Sequence, residues 1–550
     1  MYKKTIFAIA LALNIGFTIS RSFAQTNNNF EISKSIDIYN SVFKELNINY
    51  VDDINPAKLN EAAIHAMLDD LDPYTVFVSE AQAEDMRIMT TGEYGGIGSL
   101  IQQLGDYVII SEPYEGFPAQ KSGLIPGDII LEINGVDAFK RSSSEVSELL
   151  KGVPGSSVKL KIKRVGREDP LNVELTREKI KLDNIPYSTI LDNDLGYILL
   201  SGFTQNAAKE FKEALQKLQN GQKLKGLVID LRGNGGGLLN EAVDIANLFV
   251  NKNELIVSTK GKSPERTSVH RTRFAPLDLT IPIAVLVNES SASASEILAG
   301  SLQDLDRAVI VGQKTFGKGL VQNVVPLSYG TQLKITVAKY YIPSGRCIQA
   351  IDYSHKSENG GKIPDSLASS FKTRNARTVY DNGGITPDIK VKSPVFSPVT
   401  ANLYTANLIF KYANRFAMSH PSITLPNEFE ITDEIYNDFM EYIEKEEFNY
   451  TTESEKMIGE LKKIAENESY LSDVTEQLQA LEIQFHKIKE QDIRKHRDEI
   501  GKLLMIEIVS RYYYQKGKII SALKQDDDLE AAIKILRNTL EYKTILGGNK

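Results

Sequence analysis

The chain has 550 residues, 42% of them hydrophobic and 25% charged, a balance that excludes a disordered or fibrous class and allows several separate cores. A net charge of −8 argues against nucleic acid as a main partner. The single cysteine, Cys347, excludes an internal disulfide framework and reads as a semi-buried packing residue rather than a reactive thiol.

Residues 1–24 have the form of a secretory signal peptide, with Lys3 and Lys4 as the basic end, Ile6 to Ile19 as the apolar run and Ser22-Phe23-Ala24 as the small-residue cleavage site. A retained membrane anchor is the alternative. Asn14, Gly16 and Thr18 interrupt the run, leaving it short for a span of about 20 residues. Cleavage would leave Gln25 as the first residue of an exported, periplasmic protein. From Phe30 to about residue 92 the pattern is helical, with Ile38, Phe43 and Leu46, then Leu59, Ala62, Ala63, Met67 and Leu68 at helical spacing. Leu71-Asp72-Pro73-Tyr74 reads as a helix-ending turn.

Residues 93–180 turn to β-type composition. The segment opens with Gly95-Gly96-Ile97-Gly98. Strands are expected at Val108–Ile110, Ile129–Ile133 and Val158–Val165, a hairpin turn at Asn134-Gly135, and a helix from Ser143 or Ser144 to Leu150 ended by Gly152. Residues 181–400 alternate strand and helix, the mark of an α/β layered core. Gly196 to Leu200 is strand-like, Gln205 to Leu218 is a helix with Ala208, Phe211 and Leu215 on one face, and Leu227 to Leu231 enters Arg232-Gly233-Asn234-Gly235-Gly236-Gly237. A dinucleotide fingerprint would need glycine at Leu238, so the loop is better suited to aiming a backbone amide at a developing oxyanion.

The apolar run Ile281 to Val287 ends in a cluster of small hydroxyl residues, and Ser293 with Glu296 has capping-box spacing for a following helix. Most such matches are caps and nothing more. A second strand, Ala308 to Val311, leads to Phe316-Gly317-Lys318-Gly319. Gly312 to Lys318 matches the start of a nucleotide-binding loop, but Gly319 stands where the magnesium-binding hydroxyl belongs. Serine with lysine is a nucleophile and base pairing. A lysine base near neutral pH needs burial that brings its pKa from about 10.4 toward 7–8, which the glycines flanking Lys318, with Phe316 beside it, permit. The chain has no G-x-S-x-G and no H-E-x-x-H, which disfavours a Ser-His-Asp hydrolase and metal-dependent hydrolysis; no metal or cofactor is expected. The polar stretch Asp352 to Ala376 reads as a loop or insertion, and residues 401–550 as a charged helical bundle with Leu461, Ile464, Leu471, Leu478, Leu481 and Phe485 at helical spacing.

S-A-S-A-S-E-I-L-A-G followed by F-G-K-G-L-V-Q resembles the carboxyl-terminal processing peptidases, or tail-specific proteases, a Ser/Lys serine peptidase family. Ala119 to Val136, A-Q-K-S-G-L-I-P-G-D-I-I-L-E-I-N-G-V, resembles the PDZ domain of those enzymes, and Leu71-Asp72-Pro73-Tyr74, Tyr340-Tyr341-Ile342-Pro343-Ser344-Gly345-Arg346 and Gly383 to Ile389 resemble further family segments. The resemblance covers about residues 30–395. It implies an N-terminal helical segment, a PDZ domain, a ClpP/crotonase-like α/β peptidase core and a C-terminal helical region, a multidomain α/β and α+β architecture. It implies Ser293 as nucleophile, Lys318 as base 25 residues later and Gln322 as the group that orients the lysine. The oxyanion hole would use the Ala294 amide and a glycine of the 233–237 loop, Gly235 or Gly236, with Gly235 preferred. A PDZ domain binds extended peptide tails by strand addition and holds the terminal carboxylate on loop amides, here those of Gly95, Gly96, Ile97 and Gly98. The implied partners are proteins with exposed, unstructured C-termini; a homo-oligomer or an adaptor protein stays open. A tail-binding scaffold that has lost its chemistry is the alternative function.

Overall fold

The computed structural model describes residues 29–80, 82, 87–88, 90–353, 368–381, 383–393 and 395–547. The signal-peptide expectation for residues 1–24 lies outside them, as does residues 354–367 of the polar loop. The chain divides into two units, Met1–Phe77 and Val78–Lys550. The first is helical as expected, over residues 29–49 and Pro56–Asp69, the latter capped by the Asn55 side chain. Asp72 then closes its turn by accepting the Tyr74 and Thr75 N–H groups, both at 2.9 Å.

In the second unit, strands β1 (Ser99–Leu104), β2 (Tyr107–Pro113), β3 (Ile129–Ile133), β4 (Ser157–Lys163) and β5 (Leu171–Thr176) form one antiparallel sheet in that order. Asn134-Gly135 makes the expected hairpin, both with positive φ. Helix α1 (Ser143–Leu150) starts in a reciprocal Ser142/Glu145 capping box, and its Val146 and Leu150 join Val108, Ile110, Ile130, Val158 and Leu160 in a local core. β1 lies at the sheet edge. Its sequence, S-L-I-Q-Q-L, has neither an apolar run nor a strict alternation, which is why the apolar pattern did not announce it.

The central sheet runs β6 (Tyr187–Leu191), β7 (Leu195–Leu199), β8 (Gly226–Asp230), β9 (Ile283–Val287), β10 (Val309–Gly312), β11 (Ile389–Lys390). β6 and β7 form an antiparallel hairpin, and all other pairings are parallel. Every residue of β8, β9 and β10 is buried, so both faces need cover. On one face Ile229, Val285 and Ile310 meet helices α2 (Ala207–Gln219), α3 (Leu239–Ala246) and α4 (Ala294–Asp304) through residues such as Phe211, Ile245 and Leu298. On the other, Val228, Ala284, Leu286 and Val311 meet Leu529, Ala532, Ile535, Leu536 and Tyr542 from the end of the chain. A second, antiparallel sheet includes Ser268–Arg271, Leu255–Gly261, Gln332–Tyr341 and Leu320–Pro326.

The helices after residue 398 build an aromatic core from Tyr412, Phe416, Tyr436, Phe439 and Tyr442, closed by Ile500, Leu504 and Ile508 of α5 (Arg497–Leu523). Leu478 is buried as its spacing implies, whereas Leu461, Ile464 and Leu481 stay about half exposed. Helix α6 (Asp527–Arg537) then leaves this bundle for the central sheet. Among the described residues no helix is long and apolar enough to cross a membrane.

Candidate active site

Parallel strands leave their functional groups at their carboxyl ends, and three such ends converge here: the loop after β8, the loop from β9 into α4, and the segment after β10. In the second of these the three serines have different environments. Ser291 and Ser295 are fully buried and Ser293 is half-buried. The Ser291 hydroxyl donates to Leu231 O and the Ser295 hydroxyl to Asn234 O, each at 2.8 Å, so both lace this loop to the glycine loop. Ser293 has φ +58° and ψ −113°, a conformation a serine holds only when its surroundings over-determine it. Ser291→Ala and Ser295→Ala are each expected to cost about 1 kcal/mol of stability while folded enzyme keeps most of its activity; melting curves and peptide cleavage on the same preparations check both halves.

What holds Ser293 in that conformation also holds Lys318. The Glu296 carboxylate, completely buried, accepts the Ser293 N–H at 2.8 Å, the Thr315 hydroxyl at 2.6 Å, the Gly317 N–H at 2.7 Å and the Lys318 N–H at 2.9 Å. Burial pushes this carboxyl's pKa up, and the four donated hydrogen bonds oppose that shift. On the carbonyl side the buried Tyr340 hydroxyl reaches Ser293 O, at 3.1 Å, and Lys318 O. The two residues, 25 positions apart in sequence, are thus tied backbone to backbone from both sides.

Lys318 is half-buried, but not by Phe316, whose side chain is 52% exposed. The glycines on either side of the lysine are closely packed. A β-carbon at Gly317 would stand 2.6 Å from Ala350 Cβ, and one at Gly319 2.7 Å from Gln349 N, while the Gly319 N–H donates to Gln349 Oε1 at 2.7 Å. Gln322, half-buried on the strand Leu320–Pro326, donates to Thr336 Oγ1 across the hairpin at 3.3 Å.

The glycine loop lies directly against Ser293, since a β-carbon at Gly236 would be 2.8 Å from Ser293 Cβ. The Gly236 N–H is taken by Asn234 Oδ1 at 2.9 Å. Among the described residues, the Gly235 and Ala294 N–H groups have no intramolecular acceptor. In the β1–β5 region, Gly95 and Gly96 belong to a short strand paired with Glu178–Lys181. The carbonyls of Ile97 and Gly98 accept the Ala119 and Tyr114 N–H groups at 2.8 and 2.9 Å, whereas their own N–H groups have no intramolecular acceptor among the described residues. A cleft of about 1170 Å³ near Asp194, Lys225, Asp278 and Arg537 has none of these residues in its lining.

Residues 194–357 match peptidase family S41, residues 109–164 the PDZ domain, and residues 399–536 the "Probable PDZ-protease, C-terminal helical domain". The chain is 36% identical over 355 residues to the carboxy-terminal-processing protease of Bartonella bacilliformis, covering 64% of this chain and 81% of that protein. It belongs to the carboxy-terminal processing protease family. It is also 30% identical to the carboxy-terminal processing protease CtpA of Bacillus subtilis, over 70% of this chain and 80% of that one. A photosystem II D1 C-terminal processing protease structure is 27% identical over 64% of this chain and 92% of that chain, with a TM-score of 0.36.

In this serine-type protease, segments that look like ordinary inter-strand turns frame the site. Thr315 Oγ1 accepts the Ile385 N–H at 2.6 Å, and Arg346 is buried against Asp304 at 2.8 Å, at the far end of α4. Sequence reasoning found Glu296 only as a helix cap and Tyr340 only as part of a motif. The S-x-x-E spacing signalled the Ser293 contact; nothing local signalled the three donors at positions 315–318.

Proposed function

We propose that this protease is an exported endopeptidase that takes unstructured C-terminal tails in its PDZ groove and cuts the chain with Ser293 and Lys318. The observation that carries the reading is the double tie between the two residues through Glu296 and Tyr340, which gives a strained serine at a helix N-terminus one fixed lysine partner. Ser293 Oγ attacks the scissile carbonyl as its proton passes to neutral Lys318, and the lysine returns that proton to the leaving amine. Water then hydrolyses the acyl-enzyme with the same lysine as base. Gln322 orients the lysine. The Ala294 and Gly235 amides take the oxyanion, each such donor being worth roughly 3–4 kcal/mol in comparable sites. Their lack of an internal acceptor supports that role over Gly236, whose N–H is already engaged.

The edge strand β1 and helix α1 suit strand addition by a peptide, and the amides of Ile97 and Gly98, just after the short strand that holds Gly95 and Gly96, suit its terminal carboxylate. The basic start, apolar run and cleavage site of residues 1–24 support export. Amidating the C-terminus of a tailed substrate is expected to raise its KM, with cleavage of a short peptide lacking the tail unchanged. Steady-state cleavage of acid and amide forms of one substrate tests this, and equal KM values would remove the PDZ amides from the mechanism.

A further inference from the structure

Arg232 opens the glycine loop at the end of β8, and three carboxylates surround its guanidinium. Asp230 lies 2.6 Å from Nη2. Asp526 accepts from Nη1 at 2.8 Å and Nη2 at 2.6 Å, and Asp528 from Nη1 at 3.1 Å. Asp526 and Asp528 flank the start of α6, nearly 300 residues further along the chain, and all three aspartates and the arginine are largely buried. Asp528 also accepts Gln313 Nε2 at 3.0 Å, and the Gln313 N–H donates to Val287 O, also at 3.0 Å. The two aspartates therefore touch both the glycine loop and the segment that runs on to Lys318.

As a device for docking α6 this arrangement is poor. Three buried carboxylates on one cation leave uncompensated negative charge, and apolar contacts dock a helix more cheaply. Leu529, Ala532, Ile535, Leu536 and Tyr542 already supply such contacts. What the aspartates add is direction, because two parallel N–H···O bonds fix the plane of a guanidinium. The loop continues from that plane. The Gly233 N–H donates to Asn288 Oδ1 at 3.0 Å, Asn234 O accepts the Ala292 N–H at 3.0 Å, and Gly236 lies against Ser293.

We propose that Asp526 and Asp528 are positioning residues of the proteolytic site, holding Arg232 so that the glycine loop keeps its place beside Ser293 and making the peptidase core dependent on its own C-terminal helix. This rests on the reading of Ser293 as nucleophile and of the loop as part of the oxyanion hole.

The test uses the full-length protein and the Asp526→Asn/Asp528→Asn double variant. Asn replaces Asp at 526 with little loss of helix capping, and Asp230 still pairs with Arg232, so no charge is orphaned. Arg537→Ala is the control: it removes an exposed α6 contact, 2.8 Å to Asp192, away from the loop. The double variant is expected to lose roughly 10- to 100-fold in kcat, with KM within about twofold of the parent. Its Tm should stay within about 4 °C. Inhibition by a peptide aldehyde, whose serine adduct needs the oxyanion hole, should weaken in step with kcat, while binding of a non-reactive product peptide should not. Arg537→Ala should match the parent throughout. An unchanged kcat in the folded double variant overturns the proposal. So does an equal loss in Arg537→Ala, or a loss of product-peptide binding as large as that of aldehyde binding, since either marks general loosening. Should the double variant not fold, Asp526→Asn alone carries the same comparison. Activity that survives Ser293→Ala in the parent would instead overturn the nucleophile assignment and is scored separately.

Discussion

Ser293→Ala and Lys318→Ala are each expected to lower kcat by on the order of 10⁴-fold or more, and the double variant to be little worse than either single one. The reason is the shared backbone frame. Glu296 and Tyr340 hold the two residues as one unit, so if they act as the proposed nucleophile and base, loss of either should idle the other. Both side chains are only half-buried, and neither truncation opens a closed core, so the folded fraction should be close to that of the parent. Gln322→Ala should do less harm if its proposed role is orientation only, since that leaves both proposed reacting groups in place. Peptide cleavage by purified variants, each checked for native circular dichroism, decides the matter. Two singles with partial losses that multiply in the double variant would mean that the residues act independently and are not a nucleophile and base pair.

Glu296→Ala is expected to be the most damaging change in the site that removes no reacting group. Four donors would lose their acceptor in a closed environment: the N–H groups of Ser293, Gly317 and Lys318 and the Thr315 hydroxyl. An unsatisfied buried donor costs about 1–3 kcal/mol. Even with water entering the space, a stability loss of about 3–5 kcal/mol follows, together with near-complete loss of activity as Ser293 relaxes from its positive φ. Glu296→Gln separates the two effects. The amide keeps the volume and one acceptor oxygen but turns an NH₂ group toward N–H donors, so the variant should fold with a lower urea midpoint and still lose about 100-fold in activity. Urea unfolding monitored by tyrosine fluorescence, alongside cleavage assays, reads both quantities. Parent-like activity in folded Glu296→Gln would show that the carboxylate does not set the geometry of the pair.

Much of this arrangement could be read before any coordinates. β9, β10 and β8 up to its final Asp230 are continuous apolar runs, and a run with no polar alternation has to be covered on both faces. Glycines at 235–237 and around Lys318, the hydroxyl cluster before α4 and the S-x-x-E spacing are local patterns. A local pattern is legible because the chain's own geometry places residues a few positions apart. The same logic located the Asn134-Gly135 hairpin and α1, and it missed β1 because an edge strand facing solvent needs no apolar period.

Contacts across long stretches of chain obey no such period, and these the tertiary structure alone decided. That Glu296 caps its own helix is an i to i+3 relation; that it also takes Thr315, Gly317 and Lys318 depends on where the path through β10 returns. Phe316 is close to the lysine in sequence yet about half exposed, and it is Gln349 and Ala350, from another strand connection, that close on the glycines flanking Lys318. The charged C-terminal helices announced that each has an apolar face but not what that face meets. Hydrophobic attraction is non-directional, so the stripe of α6 fits an aromatic bundle as well as the open face of a sheet. The choice was made by the unfilled face of the central sheet, whose apolar residues α6 covers.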